Sequence, residues 1–521
     1  MQPLHWQPPV ELRPSEQAIV KRIKRAKLFV FLREIRHDLF DGELQNELNQ
    51  MYRDSPVGHP PVPPAQVALA MIIQAYTGAS DDEAIEAMMM DRRWQLVLDC
   101  LDCEQAPFSK ATLVRGRQAM IKHRLERRLI ERTIELAAKT GGFGSRQLRA
   151  ALDSSPLWGA GRVEDTYNLL GHALRKALGV IAAQQGRELS ELAVEAGATV
   201  VSSSSLKAAL DLNWDDPNER YCGLQVVLGA LDSMTVWMES QPQEASATAA
   251  LTTAEQVKAQ DVTINDDGTA QLKRGVARNR RISLEDPHMR HGRKSKQQRV
   301  DGYKRHILRD LDSGLVPCVG ITPANVPEAW VSDAIVVDLK AQALTLSELH
   351  IDRAYLTSKL VRQRSDDLTI YCKAWSVRNR QGLFAKTAFT LDWEQNTICC
   401  PNGISLPFTV GKSVHFPAQT CAACPLKAQC TASEKGRHVS IHPDERFLQE
   451  LRQRQLTPQG RAKLRERVAV EHTLAHIAYW QGERARYLTL RKNLFDLRRM
   501  AVVHNLHVLA RLYESAQTAV A

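Results

Sequence analysis

Residues 146–155 read RQLRAALDSS, and residues 347–352 read SELHID. In both stretches apolar residues lead into an aspartate, Asp153 or Asp352, and the pattern predicts a short strand that ends there. Because open α/β sheets gather their ligands at the carboxyl ends of strands, both carboxylates are expected at such an edge. Taken alone, however, an aspartate that follows a strand is more often a turn or cap residue.

A third carboxylate, Glu471, lies in the helical stretch of residues 461–480, RAKLRERVAVEHTLAHIAYW. The helical period places on one face Leu464, Val468, Glu471, Leu474 and Ala475. This face is expected to point toward the sheet, and a buried glutamate is costly unless it is paired or bound to metal. Arg467, four residues earlier, is either its ion-pair partner or a contact for substrate phosphate. Two strand-borne aspartates and one helix-borne glutamate are the parts of a two-metal phosphoryl-transfer site.

The composition favours a polyanionic partner. The chain has 521 residues, enough for about two to four domains, and a formal net charge of +10. A soluble protein with a well-solvated basic surface is the alternative. The first residues lack a basic segment followed by an apolar stretch, and no segment reaches the length of a membrane span, so a cytoplasmic protein without a membrane partner is expected.

The periodicity changes along the chain and predicts a mixed α/β architecture with a helical N-terminal domain. The helical N-terminal domain includes a headpiece (61–140) that would bind DNA or dimerise, although a solvated helix face explains its basic helix equally well. Ser80 is predicted to cap one of the headpiece helices. Residues 241–275 contain few large apolar side chains and predict a linker or loosely packed extension. The predicted parts are a helical lead with a Pro-rich connector (1–60), the headpiece (61–140), the α/β core (147–165 and 300–375), a helical insertion with a basic arm (166–299), a Cys-rich insertion (376–445) and C-terminal helices of the core (458–515).

The basic arm, residues 273–309, holds thirteen Lys or Arg against three acids. Such a run is often a disordered tail or solvated loop, but this one leads into a strand-like hairpin, which favours contact with a nucleic-acid backbone. The predicted phosphate contacts in this region are Arg290, Arg293, Lys294, Lys296, Lys304 and Arg305.

Four cysteines, Cys400, Cys421, Cys424 and Cys430, are spaced as candidate ligands of a tetrahedral structural zinc ion. A cluster of buried, redox-inert thiols is the alternative reading. Ten cysteines in a chain of this length do not predict a disulfide-stapled fold. No phosphate-binding loop of the Walker type and no dinucleotide fingerprint is present, so phosphoryl chemistry would proceed without a nucleotide cofactor.

These motifs together resemble bacterial insertion-sequence transposases of the DDE type, in the branch with a Cys-rich insertion in the catalytic domain. The resemblance covers most of the chain and implies a ribonuclease H-like core, with Asp153 on the first strand, Asp352 at the end of the fourth and Glu471 on a later helix. Arg467 matches an arginine of the family, whereas Leu464 and Ala478 stand where relatives carry tyrosine and lysine. The motifs that carry it are ALDSSPLWGAGRVEDTYNLL, DPHMRHGRKSKQQRVDGYKRHILRDLDSGL, HIDRAY, CPNG, CAACPLKAQC and VEHTLAHIAYWQGERARYLTLRKNLFDLRRMAVVHNL.

The resemblance implies strand cleavage and strand transfer at terminal inverted repeats, with Asp153, Asp352 and Glu471 as catalytic ligands of two Mg2+ ions, for which Mn2+ can substitute. Terminal and target DNA would be the partners, bound by a homodimer in a cytoplasmic protein that is nucleoid-associated on DNA. Two alternatives are a structure-selective nuclease of the same fold and a non-catalytic, transposase-derived DNA-binding protein.

Overall fold

The structure is a computed structural model, and it describes residues 3–520 except 54–60, 102, 145, 243, 295–296 and 378–381. Most of the predicted Pro-rich connector, and Lys296, lie outside the described residues. The chain divides into two compact units. The first unit contains Met1–Arg146, Asp153–Thr345 and His472–Ala521, and the second contains Gln147–Leu152 and Leu346–Glu471.

The first unit begins with a bundle of helices that surrounds one apolar helix. The helices are α1 (Pro14–Arg22), α2 (Lys27–Leu39), α3 (Gly42–Asn49), α4 (Pro64–Thr77), α5 (Asp81–Met90), α6 (Arg92–Leu98), α7 (Lys110–His123) and α8 (Glu126–Lys139). The apolar helix is α4, whose residues are buried on all sides from its first turn to Ala75. Ser80 caps α5 as predicted: the Glu83 amide donates to its hydroxyl at 3.2 Å, and the Glu83 carboxylate accepts from the Ser80 amide at 2.6 Å.

A long strand and a helical layer follow. They comprise β1 (Gln147–Trp158), α9 (Thr166–Gln185), α10 (Leu189–Glu195), α11 (Leu206–Leu210), α12 (Pro217–Glu239), α13 (Ala245–Asp261), β2 (Val262–Ile264) and β3 (Ala270–Leu272). The linker prediction for residues 241–275 is wrong, because α13 packs along α9 and buries Ala247, Ala254 and Val257 completely. Small side chains let the two helix axes approach closely, so a helix poor in large apolar residues still forms part of the core.

An antiparallel group of strands completes the sheet of the first unit: β4 (Arg290–Arg293), β5 (Arg299–Asp310) and β6 (Cys318–Pro323), followed by α14 (Ser332–Ala341). Gly302 of β5 lies against the last residues of β1. A Cβ atom at Gly302 would be 2.5 Å from the carbonyl oxygen of Leu157 and 2.3 Å from the amide nitrogen of Gly159, so only glycine fits there.

The second unit contains the first half of β1 together with β7 (Thr345–Ile351), α15 (Lys359–Arg362) and β8 (Thr369–Cys372). β7 lies between β1 and β8 and is parallel to β8, with Leu349 opposite Ile370. Leu349 and Ile351 are buried, and so is His350 between them, so this end of β7 is covered on both faces.

The Cys-rich module of the second unit is built from short elements: β9 (Thr390–Asp392), β10 (Thr397–Cys399), β11 (Ser405–Pro407), β12 (Ser413–His415), α16 (Ala418–Ala422), α17 (Lys427–Cys430) and β13 (His438–Ser440). β9, β10 and β11 form a three-stranded antiparallel sheet, and β12 pairs with β13. Their small core consists of Phe389, Ile398, Phe408, Val414, Phe416, Val439 and Ile441.

Four helices end the chain: α18 (Glu445–Leu456), α19 (Pro458–Glu466), α20 (Val468–Gln481) and α21 (Leu490–Val520). α19 packs on β8 within the second unit, and α21 packs on α4, α8 and β6 within the first. None of the described helices combines the length and the apolar character that a membrane span needs. Parallel and antiparallel strands with flanking helices confirm the predicted mixed α/β class.

Candidate active site

Asp153 lies within a strand rather than after it. β1 continues to Trp158, and Asp153, with 9% of its surface exposed, is its seventh residue. The backbone amide of Ser154 donates to Asp153 Oδ1 at 2.8 Å. The strand is longer than predicted because Pro156 and Leu157 extend it along β5, and just beyond it the Gly159 amide donates to the Asp301 carbonyl oxygen at 2.7 Å.

Asp352 follows the last residue of β7 directly, as the sequence predicts. Its Oδ1 accepts a hydrogen bond from the Ala354 amide at 2.8 Å and so caps the short 3-10 helix Arg353–Tyr355. The side chain is half-buried. One carboxylate oxygen therefore holds the local backbone, and this contact fixes the carboxylate at the carboxyl end of the strand.

Glu471 points away from the core, and the prediction of an inward glutamate is wrong. The stretch assumed to be one helix is two helices, α19 and α20, which meet at Arg467. Val470, Leu474 and Ile477 form the buried face of α20, and the Glu471 side chain is 47% exposed. Glu471 Oε1 accepts from Arg467 Nη2 at 2.6 Å, which is the predicted ion pair between residues four apart.

Asp352 and Arg467 lie near the same thiol, Cys372 at the end of β8. Burial raises the pKa of Cys372 to about 12; the negative charge of Asp352 contributes to the rise, and the positive charges of Arg353 and Arg467 oppose it. Arg467 in turn pairs with Glu471, so this pair and Asp352 all belong to the second unit.

An ion-pair network lies just before both carboxylates of this unit. Glu348 of β7 accepts from Lys463 Nζ of α19 at 3.0 Å and from Arg149 Nε of β1 at 3.0 Å. Arg149 also pairs with Glu466, the last residue of α19. The network therefore ties together the strand that precedes Asp352, the helix that precedes Glu471 and the strand β1.

Charge and burial oppose each other at Glu348 and at its neighbour His350. Burial alone would raise the pKa of Glu348, but hydrogen bonds from Lys463, His350 and Arg149 outweigh it and lower the pKa from 4.5 to about 2. Burial lowers the pKa of His350, so its ring is neutral at pH 7 and its Nε2 lies 3.2 Å from Glu348 Oε2.

Glu348, His350 and Glu466 each offer a ligand atom within 4.8 Å of the others, the spacing of a metal site. Two cations already occupy this cluster, because Arg149 and Lys463 contact both glutamates. We therefore interpret the cluster as an ion-pair network. Strand alternation could have pointed to it, since Glu348 and His350 are two positions apart and share one face of β7.

Comparison with known protein families identifies two regions of the chain. Residues 399–510, which include Glu471, match the transposase DDE domain, and residues 17–119 match the transposase domain DUF772. The matched domains are those of an insertion-sequence transposase of the DDE type. The core of the chain accordingly has the ribonuclease H-like fold that the sequence predicts. No curated protein and no solved structure matches the chain. The family implies a DNA substrate for this transposase and, typically, a divalent metal ion.

The four thiols expected to bind zinc line one cleft of the Cys-rich module. Burial raises the pKa of Cys430, the guanidinium of Arg437 opposes this, and the other three thiols add to the rise. Backbone turns support the site: the Gly403 amide donates to the Cys400 carbonyl at 2.9 Å, and the Cys424 amide donates to the Cys421 carbonyl at 3.3 Å. Within the described residues no three of the sulfur atoms lie within 4.8 Å of one another, so a bound ion would require the thiols to turn inward.

The basic arm of the transposase is largely folded, and its cations differ in what they contact. Arg305 is only 3% exposed; its guanidinium donates to Ser155 Oγ at 2.8 Å and to Gln481 Oε1 at 3.0 Å, so it supports β5 from the inside and does not reach a phosphate. Lys304 pairs with Glu328 at 2.8 Å, and Arg290 donates to Asn279 and to backbone carbonyls. Arg293 and Lys294, at the tip of the hairpin, are exposed.

Proposed function

We propose that this transposase catalyses metal-dependent cleavage of DNA at terminal inverted repeats and transfers the resulting strand to target DNA. Asp153, Asp352 and Glu471 would act as the metal ligands of this reaction. The observation that carries the proposal lies in the second unit: Asp352 directly follows β7, and Glu471 is exposed on α20 in an ion pair with Arg467. A strand-end carboxylate and a helix carboxylate supply the hard oxygen ligands that divalent ions of this type prefer.

The residues present suit a divalent ion. Asp352 Oδ1 caps the turn that follows it. Glu471 Oε1 accepts a hydrogen bond from Arg467. Asp352 is half-buried and the Glu471 side chain is 47% exposed, so DNA phosphate can approach Glu471. These carboxylates would hold Mg2+, or Mn2+ in its place, which would supply activation of water or of a 3' hydroxyl and stabilisation of the departing oxygen. Arg467 holds the Glu471 carboxylate in one orientation and places a positive charge where phosphate would approach.

The test is a set of charge-removing substitutions, Asp153→Asn, Asp352→Asn and Glu471→Gln, each assayed with labelled element ends and Mg2+. Each should abolish both cleaved and joined products and leave DNA binding intact, because the shape of the side chain is kept and only the metal ligand changes. Asp366→Asn, an exposed aspartate of the same unit, is the matched control and should retain activity. Joined products formed by any of the three variants at the wild-type rate would contradict the assignment.

The same gel separates the proposed function from its alternatives. A structure-selective nuclease would give cleaved ends that never appear joined to target DNA. A non-catalytic DNA-binding protein would give neither product, with or without Mg2+. Target-joined strands that depend on Mg2+ are the outcome expected for the transposase.

We also propose that Cys400, Cys421, Cys424 and Cys430 hold one structural zinc ion. The support is that all four thiols line one cleft next to the Phe389 and Phe416 side chains, so an ion there would crosslink segments that have only a small core. Metal analysis should find about one zinc per chain. The four thiols should resist alkylation in the native state, while the exposed Cys222 reacts. Protein without zinc, or rapid alkylation of all four thiols, would overturn the proposal.

For DNA contacts of the basic arm, we propose Arg293 and Lys294, because both cations are exposed at the tip of the β4–β5 hairpin. Arg467 is a further candidate through its position beside Glu471. A homodimer on DNA follows from family analogy, since two element ends must be brought together. Cross-linking on paired element ends should give a dimer, and a monomer on synapsed ends would refute it.

A further inference from the structure

Residues 21–27 read KRIKRAK, five cations in seven positions. They connect α1 to α2, and the connection is anchored, because the Ile23 amide donates to the Ile19 carbonyl at 3.2 Å and Ile19 and Ile23 pack with Leu96 and Leu101. The apolar side chains thus hold the backbone, and all five cations are exposed. This segment is a fixed basic surface, unlike a solvated tail.

The five cations have no carboxylate partner within ion-pair distance among the residues that the structure describes. Other arginines of the same helical bundle are paired: Arg33 with Glu16 at 2.9 Å and Arg128 with Glu47 at 2.8 Å. Unpaired positive charge is therefore concentrated on this connection, where it raises the local potential and attracts polyanions.

Two clefts of the first unit flank the connection, and Arg25 lines both. The first cleft is lined by Ile19, Arg22, Ile23, Lys24, Arg25, Ala26, Arg92 and Arg93. The second joins Arg25 and Lys27 to Arg511 and Glu514 of α21 and to a set of rings. Within the described residues, its lining therefore has three cations and one carboxylate. The unpaired backbone N–H groups at the amino terminus of α2 add partial positive charge at Lys27, and no acidic residue of the first turn offsets it.

The rings of the second cleft suit a nucleic acid. Tyr479 is 84% exposed, the most exposed of the large apolar side chains in the described chain, and Trp480 stacks on His507 with ring centres 5.2 Å apart and planes at 2°. Such an exposed ring beside cations can pack on a sugar or stack on an unpaired base. Binding of an acidic protein would use the cations of the cleft but not its rings, so the rings favour a nucleic acid as the ligand.

Building on the proposed function, we propose that these two clefts bind the DNA backbone as a second contact surface, remote in sequence from the hairpin of Arg293 and Lys294. Lys21, Arg22, Lys24, Arg25, Lys27, Arg92 and Arg511 contact phosphates. Tyr479 packs against the adjacent nucleotide. Most of this surface belongs to the region that matches the transposase domain DUF772, so the surface gives that domain a direct role in holding DNA.

The test uses the full-length protein with Lys24, Arg25 and Lys27 each replaced by glutamine. Binding to a duplex element end is measured by fluorescence anisotropy between about 50 and 200 mM salt. Loss of three phosphate contacts should lower the slope of log affinity against log salt by about 2 to 3. The control triple variant, Lys340→Gln, Lys412→Gln and Lys435→Gln, removes the same charge from exposed positions elsewhere. An unchanged slope, or equal losses in both variants, would overturn the proposal.

Tyr479→Ala tests the ring. It should weaken binding of a duplex with unpaired terminal nucleotides by about 5- to 100-fold and weaken a fully paired duplex much less. An equal loss on both duplexes would refute packing on an unpaired base. Strand transfer at saturating DNA separates this surface from the active site: the triple variant should then recover the wild-type rate. If the wild-type protein joins no strands but still shows a steeper salt dependence of DNA binding than the triple variant, the proposed function is refuted and the DNA-binding surface is not.

Discussion

Replacing Glu348 with glutamine should loosen the second unit by about 2 kcal/mol at pH 7. The pKa of Glu348 falls from 4.5 to about 2 in the folded protein, and each pKa unit corresponds to about 1.4 kcal/mol. The full shift would be worth about 3 kcal/mol, and we take about 2 because the side chain is 19% exposed and water screens part of the attraction. Glutamine keeps the shape of the side chain and its hydrogen bonding but removes the charge that Arg149 and Lys463 contact.

The sign of the pH dependence follows from the direction of the shift. Because folding lowers the pKa of Glu348, its contribution is complete above about pH 4.5 and is lost as the pH falls toward about 2. Wild type and variant should therefore differ most near neutral pH and converge in acid. A difference that grows on acidification would contradict the ion-pair explanation.

Hydrogen exchange followed by mass spectrometry is the suitable assay, because it reports local opening in a protein of two units. Peptides from β7 and α19 should exchange about 30-fold faster in Glu348→Gln, which corresponds to about 2 kcal/mol. Glu434→Gln, at an exposed position of the Cys-rich module, should leave both peptides unchanged. Lys463→Met combined with Glu348→Gln should cost less than the sum of the single changes. Unchanged exchange in β7, or strict additivity, would refute the reasoning.

Three further outcomes are expected. Gly302→Ala should destabilise the first unit by about 1 to 3 kcal/mol, because the added Cβ would lie 2.5 Å from the Leu157 carbonyl oxygen. Thermal unfolding measures the loss, and Gly144→Ala, where an added Cβ meets nothing within 4 Å, is the control variant. Leu170→Ala should cost about 2 to 5 kcal/mol in urea unfolding, because Leu170 is fully buried in the core of α9, α12 and α13, and a smaller loss would mean that the core collapses around the cavity. Removing zinc with a strong chelator should speed hydrogen exchange in residues 384–441 and leave α4 unchanged, and uniform protection would count against the metal.

Sequence patterns over a few residues predicted those features of the candidate site that depend only on residues close together in the chain. SELHID forms a strand with Asp352 at its end, and Ser80 caps α5, because both depend on backbone periodicity and short-range hydrogen bonds. Arg467 pairs with Glu471 for the same reason, since residues four apart on a helix are adjacent. The position of Glu471 on the exposed face of α20 could not be read in this way, because the apolar residues of this helix fit more than one face and tertiary packing buries the face of Val470 and Ile477.

The sequence by itself determined the α/β class, the order of the acidic residues and the strand before Asp352, because repeats of two and 3.6 residues are local properties of the chain. Only the tertiary structure decided which charges are buried and which remain unpaired. Arg149 meets Glu466 across 317 positions, Arg305 is enclosed by Ser155 and Gln481, and the cations of residues 21–27 remain exposed. The physical reason is that an ion pair depends on distance in space, and the fold brings together charges whose separation along the chain gives no sign of it.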